Sequence, residues 1–255
     1  MPTINSPLLQ DDVLTNIIEL EKEEFDQVVL AKHYNGFYNR FAKRVIDVVL
    51  AVILLVALSP FFILISVCIA VESGFPILYR AERGGYKNQD FKINKFRTMV
   101  KNADKIGGGT TAFNDPRITK VGAFLRKTKL DEIAQLLNII GGSMSFIGPR
   151  PELTRYTEQY DDLQKNILNV RPGITDFSSI TFINLDEIVG AENADEIYEK
   201  YVLQKKNQLR LKYVNEVSFT TDVKLFFLTV FRVILKALKI ILNLFKGNND
   251  GIHNA

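Results

Sequence analysis

The stretch Val48–Val71, VVLAVILLVALSPFFILISVCIAV, determines the predicted architecture of this chain. It runs for 24 residues without a charge. As one helix it would measure about 36 Å, enough for a bilayer hydrocarbon core of about 30 Å. Ser59-Pro60 interrupts its centre. Because Pro60 has no N–H to donate and its ring collides with the carbonyl of Val56, we expect a kink there.

Positive charges flank this segment on both sides: Arg40, Lys43 and Arg44 precede it, and Arg80, Arg83 and Lys87 follow it. Lys and Arg mark the cytoplasmic side of a membrane segment, so both ends are expected on the same side. The pattern favours a re-entrant helix that bends at Ser59-Pro60 and leaves on the side where it entered. A plain transmembrane helix with a tolerated proline stays open as the alternative. The segment does not fit the pattern of a signal peptide, because it starts late, is long and lacks a small-residue cleavage site.

The composition fits one sizeable domain with a membrane attachment. Of the 255 residues, 47% are hydrophobic, the mean hydropathy is +0.04 and the net charge is +3. Residues 1–36 carry seven acids and two lysines, so the rest of the chain is basic. A basic body beside a membrane segment suits anionic lipid and phosphate-bearing ligands, and with no nucleic-acid-binding motif we expect no nucleic-acid partner. Cys68 is the only cysteine, which excludes an internal disulfide and agrees with a reducing cytoplasm.

The segments of the chain predict a mainly helical α+β fold with a few short strands. We expect an acidic N-terminal extension at 1–36, the membrane element at 37–80, a catalytic domain at 81–220, an amphipathic interfacial helix at 221–246 and a disordered tail at 247–255. Residues 91–96 alternate as a strand does, and residues 107–109 form a flexible glycine loop. Apolar residues at helical spacing predict a helix over 128–140, which Gly141-Gly142 ends.

The segment Asp222–Lys246 is hydrophobic but carries one polar stripe, formed by Thr229, Arg232, Lys236, Lys239, Asn243 and Lys246. This pattern is typical of a basic amphipathic helix that lies in the membrane interface with its lysines toward lipid phosphates. A core helix with a charged rim stays open as the alternative.

The adjacent acids Asp131 and Glu132 are the candidate catalytic pair. Thr128 stands three residues before Asp131, as a helix N-cap would, which places both carboxylates in a first turn at the positive end of the helix dipole. Neighbouring helical residues point about 100° apart, so one carboxylate can attack phosphorus while the other holds a metal ion. Helix capping alone would explain the same pair.

Basic residues surround this pair in sequence: Lys95, Arg97, Arg117, Lys120, Arg126, Lys127 and Lys129. Farther along, prolines on both sides of Arg150 restrict its backbone and so the reach of its guanidinium, a good bidentate phosphate binder. We therefore expect phosphate or nucleotide contacts from Lys95, Arg97, Arg117, Arg126 and Arg150.

Several motifs in one order resemble the bacterial sugar transferases, the monotopic phosphoglycosyl transferases. They are Lys43-Arg-Val-Ile-Asp47, Ser59-Pro60, Lys95-Phe-Arg-Thr-Met99, Asp115-Pro-Arg-Ile-Thr119, Val121-Gly-Ala-Phe-Leu-Arg126, Leu130-Asp-Glu132, Met144-Ser-Phe-Ile-Gly-Pro-Arg-Pro-Glu152 and Arg171-Pro-Gly-Ile-Thr175. They cover about residues 40–176, and residues 222–234 resemble the C-terminal helix of the family.

The resemblance implies a re-entrant membrane element and an enzyme on the cytoplasmic face of the bacterial inner membrane. It implies transfer of a sugar-1-phosphate from a UDP-sugar to a polyprenyl phosphate such as undecaprenyl phosphate, which releases UMP and requires Mg²⁺. Asp131 is then the nucleophile that forms a covalent phosphosugar intermediate, and Glu132, with Asp131, is the metal ligand. Such a reaction begins lipid-linked glycan or exopolysaccharide assembly.

The chain departs from the family pattern mainly after Thr175. The usual glycine is Asp176, a family arginine that follows has no counterpart, and Arg210 stands near the place of a family aspartate. After the acidic pair, Ile133-Ala134-Gln135 replaces Leu-Pro-Gln, and Ser143 replaces an aspartate. A different sugar specificity is therefore expected. Residues 1–36 contain no segment that could span a bilayer, so we expect the chain to lack the transmembrane helices that precede the catalytic part in larger members.

Two rival functions remain open from the sequence: a catalytically silent membrane scaffold for glycan assembly, and a glycosyltransferase that releases UDP. The sequence also leaves open whether the chain forms a homo-oligomer.

Overall fold

The computed structural model describes residues 33–103, 115–183, 185, 188 and 194–249, with side chains up to residue 235. The predicted glycine loop, most of the N-terminal extension and most of the C-terminal tail lie outside these residues. In the described part, helices predominate over four short strands, as the sequence predicts for an α+β fold.

The hydrophobic segment forms two helices, α1 (Lys43–Ala57) and α2 (Ser59–Ser73), after a π-helical turn at Tyr38–Ala42. Tyr38–Ala57 and Ser59–Ser73 meet at an angle of 63°. The Ser59 hydroxyl donates to the Val56 carbonyl at 2.8 Å, which gives the carbonyl opposite Pro60 a donor. The predicted break therefore lies where the proline requires it.

Both ends of this bent pair contact the same globular part of the molecule. At the start of α1, Lys43 forms a buried ion pair with Asp222, and the Arg44 guanidinium donates to the Ile139 and Ile140 carbonyls. At the end of α2, the Glu72 carboxylate accepts from the backbone N–H of Lys120 at 2.8 Å. Contacts at both ends thus hold the bent pair against the globular part.

The outer surface of the bent pair is apolar and exposed. The exposed residues are Val45, Ile46, Val49, Leu50, Val52, Ile53, Leu54, Val56, Phe61, Ile63, Leu64, Val67 and Val71. In the described residues no single helix is both long and apolar enough to cross a bilayer; only the two bent helices together have that length and composition.

Two small sheets position the site. Strands β1 (Leu78–Arg83) and β2 (Phe91–Phe96) are antiparallel, so that β2 covers the six residues predicted as a strand. Strands β3 (Ser145–Ile147) and β4 (Gly173–Thr175) are parallel. Phe96 is 1% exposed and packs in a cluster with the inner face of α2 and with the segment after the acidic pair.

The predicted helix over 128–140 is wrong at its start. Helix α3 (Lys120–Thr128) ends at Thr128, whose hydroxyl donates back to the Phe124 carbonyl at 2.8 Å, so Thr128 is not an N-cap. Lys129 has a left-handed backbone with φ 60°, after which Leu130–Gln135 form a 3₁₀ helix. Helix α4 (Leu136–Gly141) then ends at Gly142, φ 90°, as predicted.

The C-terminal half adds short helices α5 (Thr154–Thr157), α6 (Phe177–Thr181) and α7 (Ala194–Ile197), then α8 (Leu203–Glu216) and α9 (Phe219–Asn249). The predicted C-terminal helix is confirmed as α9. Its Thr229 belongs to the predicted polar stripe but contacts Thr175 at 2.9 Å, hydroxyl to hydroxyl, so this part of the stripe faces the protein. Phe226, Phe227 and Phe231 are exposed, whereas the lysines of the stripe lie beyond the described side chains.

Candidate active site

The acidic pair lies in the first turn of the 3₁₀ helix, which the left-handed Lys129 separates from α3. The Asp131 carboxylate is 7% exposed, and its buried Oδ1 accepts no hydrogen bond from the described residues. Burial raises the pKa of Asp131, while the nearby positive charges of Lys95, Lys129 and Arg126 oppose that rise. Asp131 is thus a desolvated carboxylate beside three cations, and none of the described residues donates a hydrogen bond to its Oδ1.

Glu132, by contrast, is held on both sides. Its Oε1 accepts from Lys95 Nζ at 3.1 Å and from the Arg150 guanidinium. Burial by itself would raise the pKa of Glu132, but Arg150 and Lys95 outweigh it and bring that pKa well below its ordinary value. Burial in turn lowers the pKa of Lys95. The pKa of Asp131 is therefore raised and the pKa of Glu132 is lowered, although the two acids are adjacent in sequence.

Of the seven predicted catalytic and phosphate-contacting residues, the structure brings four together: the acidic pair Asp131 and Glu132, with Lys95 on β2 and Arg150 as the partners of Glu132. Arg126, on α3, is the fifth predicted residue near the pair, because its positive charge lowers the pKa of Asp131. Its Nε donates to the Thr98 hydroxyl at 2.8 Å.

Arg97 and Arg117 are held elsewhere. The Arg97 guanidinium donates to the Ser73 carbonyl at 2.8 Å and to the Gly74 carbonyl at 2.6 Å, at the end of α2. Arg117 Nε donates to Asp115 Oδ1 at 2.9 Å, and Arg117 Nη1 to the Ala103 carbonyl at 3.0 Å. Both side chains thus hold the fold together in this structure, and their contact with phosphate stays a prediction.

The donor set of the acidic pair fits Mg²⁺. No group of three or more His, Cys, Asp or Glu among the described residues could hold a metal ion by itself. Mg²⁺, however, is commonly bound by one or two carboxylates together with substrate phosphates. The buried Asp131 Oδ1, without a hydrogen-bond donor in the described part of the chain, is an oxygen of the type that such a cation binds.

Three features of the site were missed from the sequence. Asp176, after β4, accepts from the backbone N–H of Arg150 at 3.3 Å. Gln135, four residues after Asp131, is fully buried, and its amide has no hydrogen-bond partner in the described residues. Glu152, at the end of the proline-rich turn, is buried in an ion cluster with Lys206 and Arg210 from α8. The i, i+4 spacing of Lys206 and Arg210 indicated a shared helix face, but nothing local indicated their acidic partner.

Comparisons with known proteins identify the family of this chain. The family model "Bacterial sugar transferase" matches residues 38–236. UDP-glucose:undecaprenyl-phosphate glucose-1-phosphate transferase of Escherichia coli (strain K12) is 37% identical over 238 residues, which is 90% of this chain and 49% of that protein. The protein of the same name from Klebsiella pneumoniae is 35% identical, over 90% of this chain and 49% of its own length.

A shorter relative matches about half of the chain. Exopolysaccharide production protein ExoY of Sinorhizobium fredii (strain NBRC 101917 / NGR234) is 41% identical over 149 residues, which is 52% of this chain and 66% of that protein. The chain spans about half the length of the two longer relatives. Because the family model covers most of the sequence, the chain belongs to the bacterial sugar transferase family.

Proposed function

We propose that this protein transfers a sugar-1-phosphate from a UDP-sugar to a polyprenyl phosphate at the cytoplasmic face of the bacterial inner membrane. The products are polyprenyl-diphosphate-sugar and UMP. The observation that carries the proposal is the Asp131 carboxylate, whose buried Oδ1 has no hydrogen-bond donor within the described residues, next to a Glu132 held by Lys95 and Arg150.

In the first step, an Asp131 oxygen attacks the sugar-bearing phosphorus of the donor. The bond from this phosphorus to the oxygen bridging toward the nucleoside breaks, and UMP leaves with the bonding electrons. In the second step, a polyprenyl phosphate oxygen attacks the same phosphorus, the aspartyl–phosphorus bond breaks and the Asp131 carboxylate is restored. A carboxylate nucleophile in this way divides one displacement into two.

The cations beside the pair match the charge problem of this reaction, in which an anionic carboxylate approaches an anionic diphosphate. Lys95, Arg126 and Lys129 favour the charged form of Asp131 against its burial, and the same charges attract the donor phosphates. Arg150 would contact the leaving phosphate; its guanidinium donates to Glu132 from a turn that two prolines restrict, which supports this role. Asp131 and Glu132 would hold Mg²⁺, which supplies charge neutralisation of the diphosphate when bound.

The bent pair α1–α2 supports the membrane part of the proposal. Its outer surface is apolar and exposed, and both of its ends contact the same globular part, as a re-entrant helix requires. A lipid acceptor that stays in the membrane can then reach a site held near the headgroups. In a chain with Cys68→Ser, cysteines at Asn35 and Gln89, both exposed, should react from the cytoplasmic side; labelling from opposite sides would show a transmembrane span.

The donor is a UDP-sugar, and UDP-glucose is the first one to test because two relatives are named for its use. The experiment measures UMP release by purified protein in detergent with Mg²⁺, undecaprenyl phosphate and a panel of UDP-sugars. We expect UMP from one donor, dependent on the lipid. Asp131→Asn should remove this activity, whereas Asp162→Asn at a fully exposed side chain should retain it. Release of UDP would instead favour a simple glycosyltransferase, and no nucleotide release from any donor would favour a scaffold.

A further inference from the structure

The carboxylate of Asp176, directly after β4, is completely buried. It caps the short helix α6 by accepting from the backbone N–H of Ser179 at 2.7 Å and from the Ser178 hydroxyl at 2.8 Å. Its Oδ2 also accepts from the backbone N–H of Arg150 at 3.3 Å. One buried side chain therefore joins the start of α6 to the turn that carries the arginine of the active site.

The Arg150 N–H is the one backbone donor of the turn Pro149–Pro151, because proline has none. The residues before it are paired with β4 through backbone groups: Gly148 N–H donates to the Thr175 carbonyl, and Gly173 N–H to the Pro149 carbonyl, both at 3.0 Å. Asp176 supplies the next acceptor, just where the strand ends. The one backbone N–H of the turn is therefore bonded to a side chain and not to the backbone of β4.

This attachment leaves the turn little freedom. A Cβ added at Gly173 would lie 2.2 Å from the Gly148 nitrogen, so the two backbones are in direct contact. The guanidinium of Arg150 returns to the same strand and donates to the Ile174 carbonyl at 2.7 Å while it also reaches Glu132. Glu132 first, and Asp176 among the further causes, raise the pKa of Arg150.

We propose that Asp176 is a positioning residue for Arg150. By accepting from the backbone N–H of Arg150, the one such donor in the turn Pro149–Pro151, it fixes the turn relative to β4 and so fixes where the guanidinium meets the donor phosphate. This inference rests on the proposed function, because it assumes that Arg150 acts on the leaving phosphate. It assigns a role to a residue at which this chain departs from the family pattern.

A double-mutant cycle tests the inference, with kcat and KM measured for UMP release by the wild type, Asp176→Ala, Arg150→Ala and the double variant. We expect Asp176→Ala to lower kcat about tenfold with little change in KM, since residues coupled in one network interact by this order. In the Arg150→Ala background the same change should have almost no further effect. Asp176→Asn keeps an acceptor oxygen and should recover most of the lost kcat.

Ser179→Ala is the matched control, because it removes a cap partner of Asp176 and leaves the Arg150 contact in place. Its small effect should be equal in both backgrounds. Hydrogen exchange at the Arg150 amide is the second readout, independent of turnover, and should be faster in Asp176→Ala. An equal kcat loss in both backgrounds, or unchanged exchange, overturns the inference while the activity stands. A wild type that releases no UMP overturns the proposed function and this inference with it.

Discussion

Glu132 contacts Arg150 of the proline turn and Glu152 directly follows that turn, and each glutamate pairs with one lysine and one arginine. The Glu132 cluster, with Lys95 and Arg150, remains partly open: its side chains are 13%, 24% and 28% exposed. The Glu152 cluster, with Lys206 and Arg210, is closed, at 9%, 8% and 1%. The same ionic groups therefore occur in a cluster that ligands can reach and in one that they cannot.

This difference shows that burial, together with the hydrogen bonding of the carboxylates, separates the cluster at the candidate active site from the structural one. Glu152 accepts from the Arg210 guanidinium, from Lys206 Nζ at 3.4 Å and from the Tyr198 hydroxyl. Next to Glu132, the Asp131 Oδ1 has no donor among the described residues. Arg150 and Glu152 are two residues apart, but Arg150 pairs with Glu132 and Glu152 pairs with Arg210, so the turn connects the candidate active site to a buried ionic cluster.

The largest effect is expected from Glu152→Gln, which leaves Arg210 and Lys206 buried without their anion. Breaking a buried ion pair from one side costs about 3–5 kcal/mol of unfolding free energy. Thermal unfolding in detergent should show the loss, and Glu158→Gln, at an exposed glutamate of the same region, should leave the unfolding temperature unchanged. An equal unfolding temperature for Glu152→Gln and the wild type would show that this cluster does not stabilise the fold.

The pH dependence of this stability follows from the same cluster. Burial would raise the pKa of Glu152, but Arg210 and Lys206 outweigh it and lower that pKa to about 2. Because the folded-state pKa lies below the unfolded one, this stability is complete above the ordinary pKa of glutamate and is lost as the pH falls toward 2. The wild type should lose stability across that window more steeply than Glu152→Gln.

The Glu132→Gln variant should show the reverse pattern. We expect UMP release to fall about 10²- to 10³-fold, the order found when one electrostatic group is removed from a transition state. The unfolding temperature should fall less than in Glu152→Gln, since Lys95 and Arg150 keep contact with water. A stability loss as large as that of Glu152→Gln, with activity retained in the folded fraction, would contradict the division between the two clusters.

The smallest effect concerns the titration of Asp131. Burial raises its pKa and Lys95 is the first of the cations that oppose this, so Lys95→Gln should raise the pKa of Asp131 further. Since the reaction needs the charged carboxylate, the acid limb of the pH profile of kcat/KM should move to higher pH. Lys127→Gln, at an exposed lysine, should leave the limb in place. An unmoved limb in Lys95→Gln would show that another group controls it.

The local patterns predicted those parts of the molecule that neighbouring residues determine. The break at Ser59-Pro60 follows from a missing N–H, the strand at 91–96 from alternation, and the end of α4 from Gly142, which accepts φ 90°. The acidic pair was found because its motif is local. The helix start at Thr128 was predicted wrongly, because nothing in the sequence indicates that Lys129 takes a left-handed backbone.

The contacts that shape the site join distant residues, which a local pattern does not show. Glu152 pairs with Arg210, 58 positions away, and Lys43 pairs with Asp222, 179 positions away. No local sequence pattern could therefore indicate the partner of either acid. Arg117, in contrast, pairs with Asp115 two residues earlier, and this short spacing was a signal that its charge has a structural partner. The roles of the individual site residues remain predictions.

The most direct test of the central claim uses the wild type, Mg²⁺ and the reactive UDP-sugar without any polyprenyl phosphate. We expect a burst of about one UMP per enzyme, because the first displacement does not need the lipid. We also expect a peptide containing Asp131 that is heavier by one sugar phosphate, absent in Asp131→Asn and lost when the lipid is added. UMP release that requires the lipid from the first turnover, with no modified peptide, would contradict Asp131 as the nucleophile.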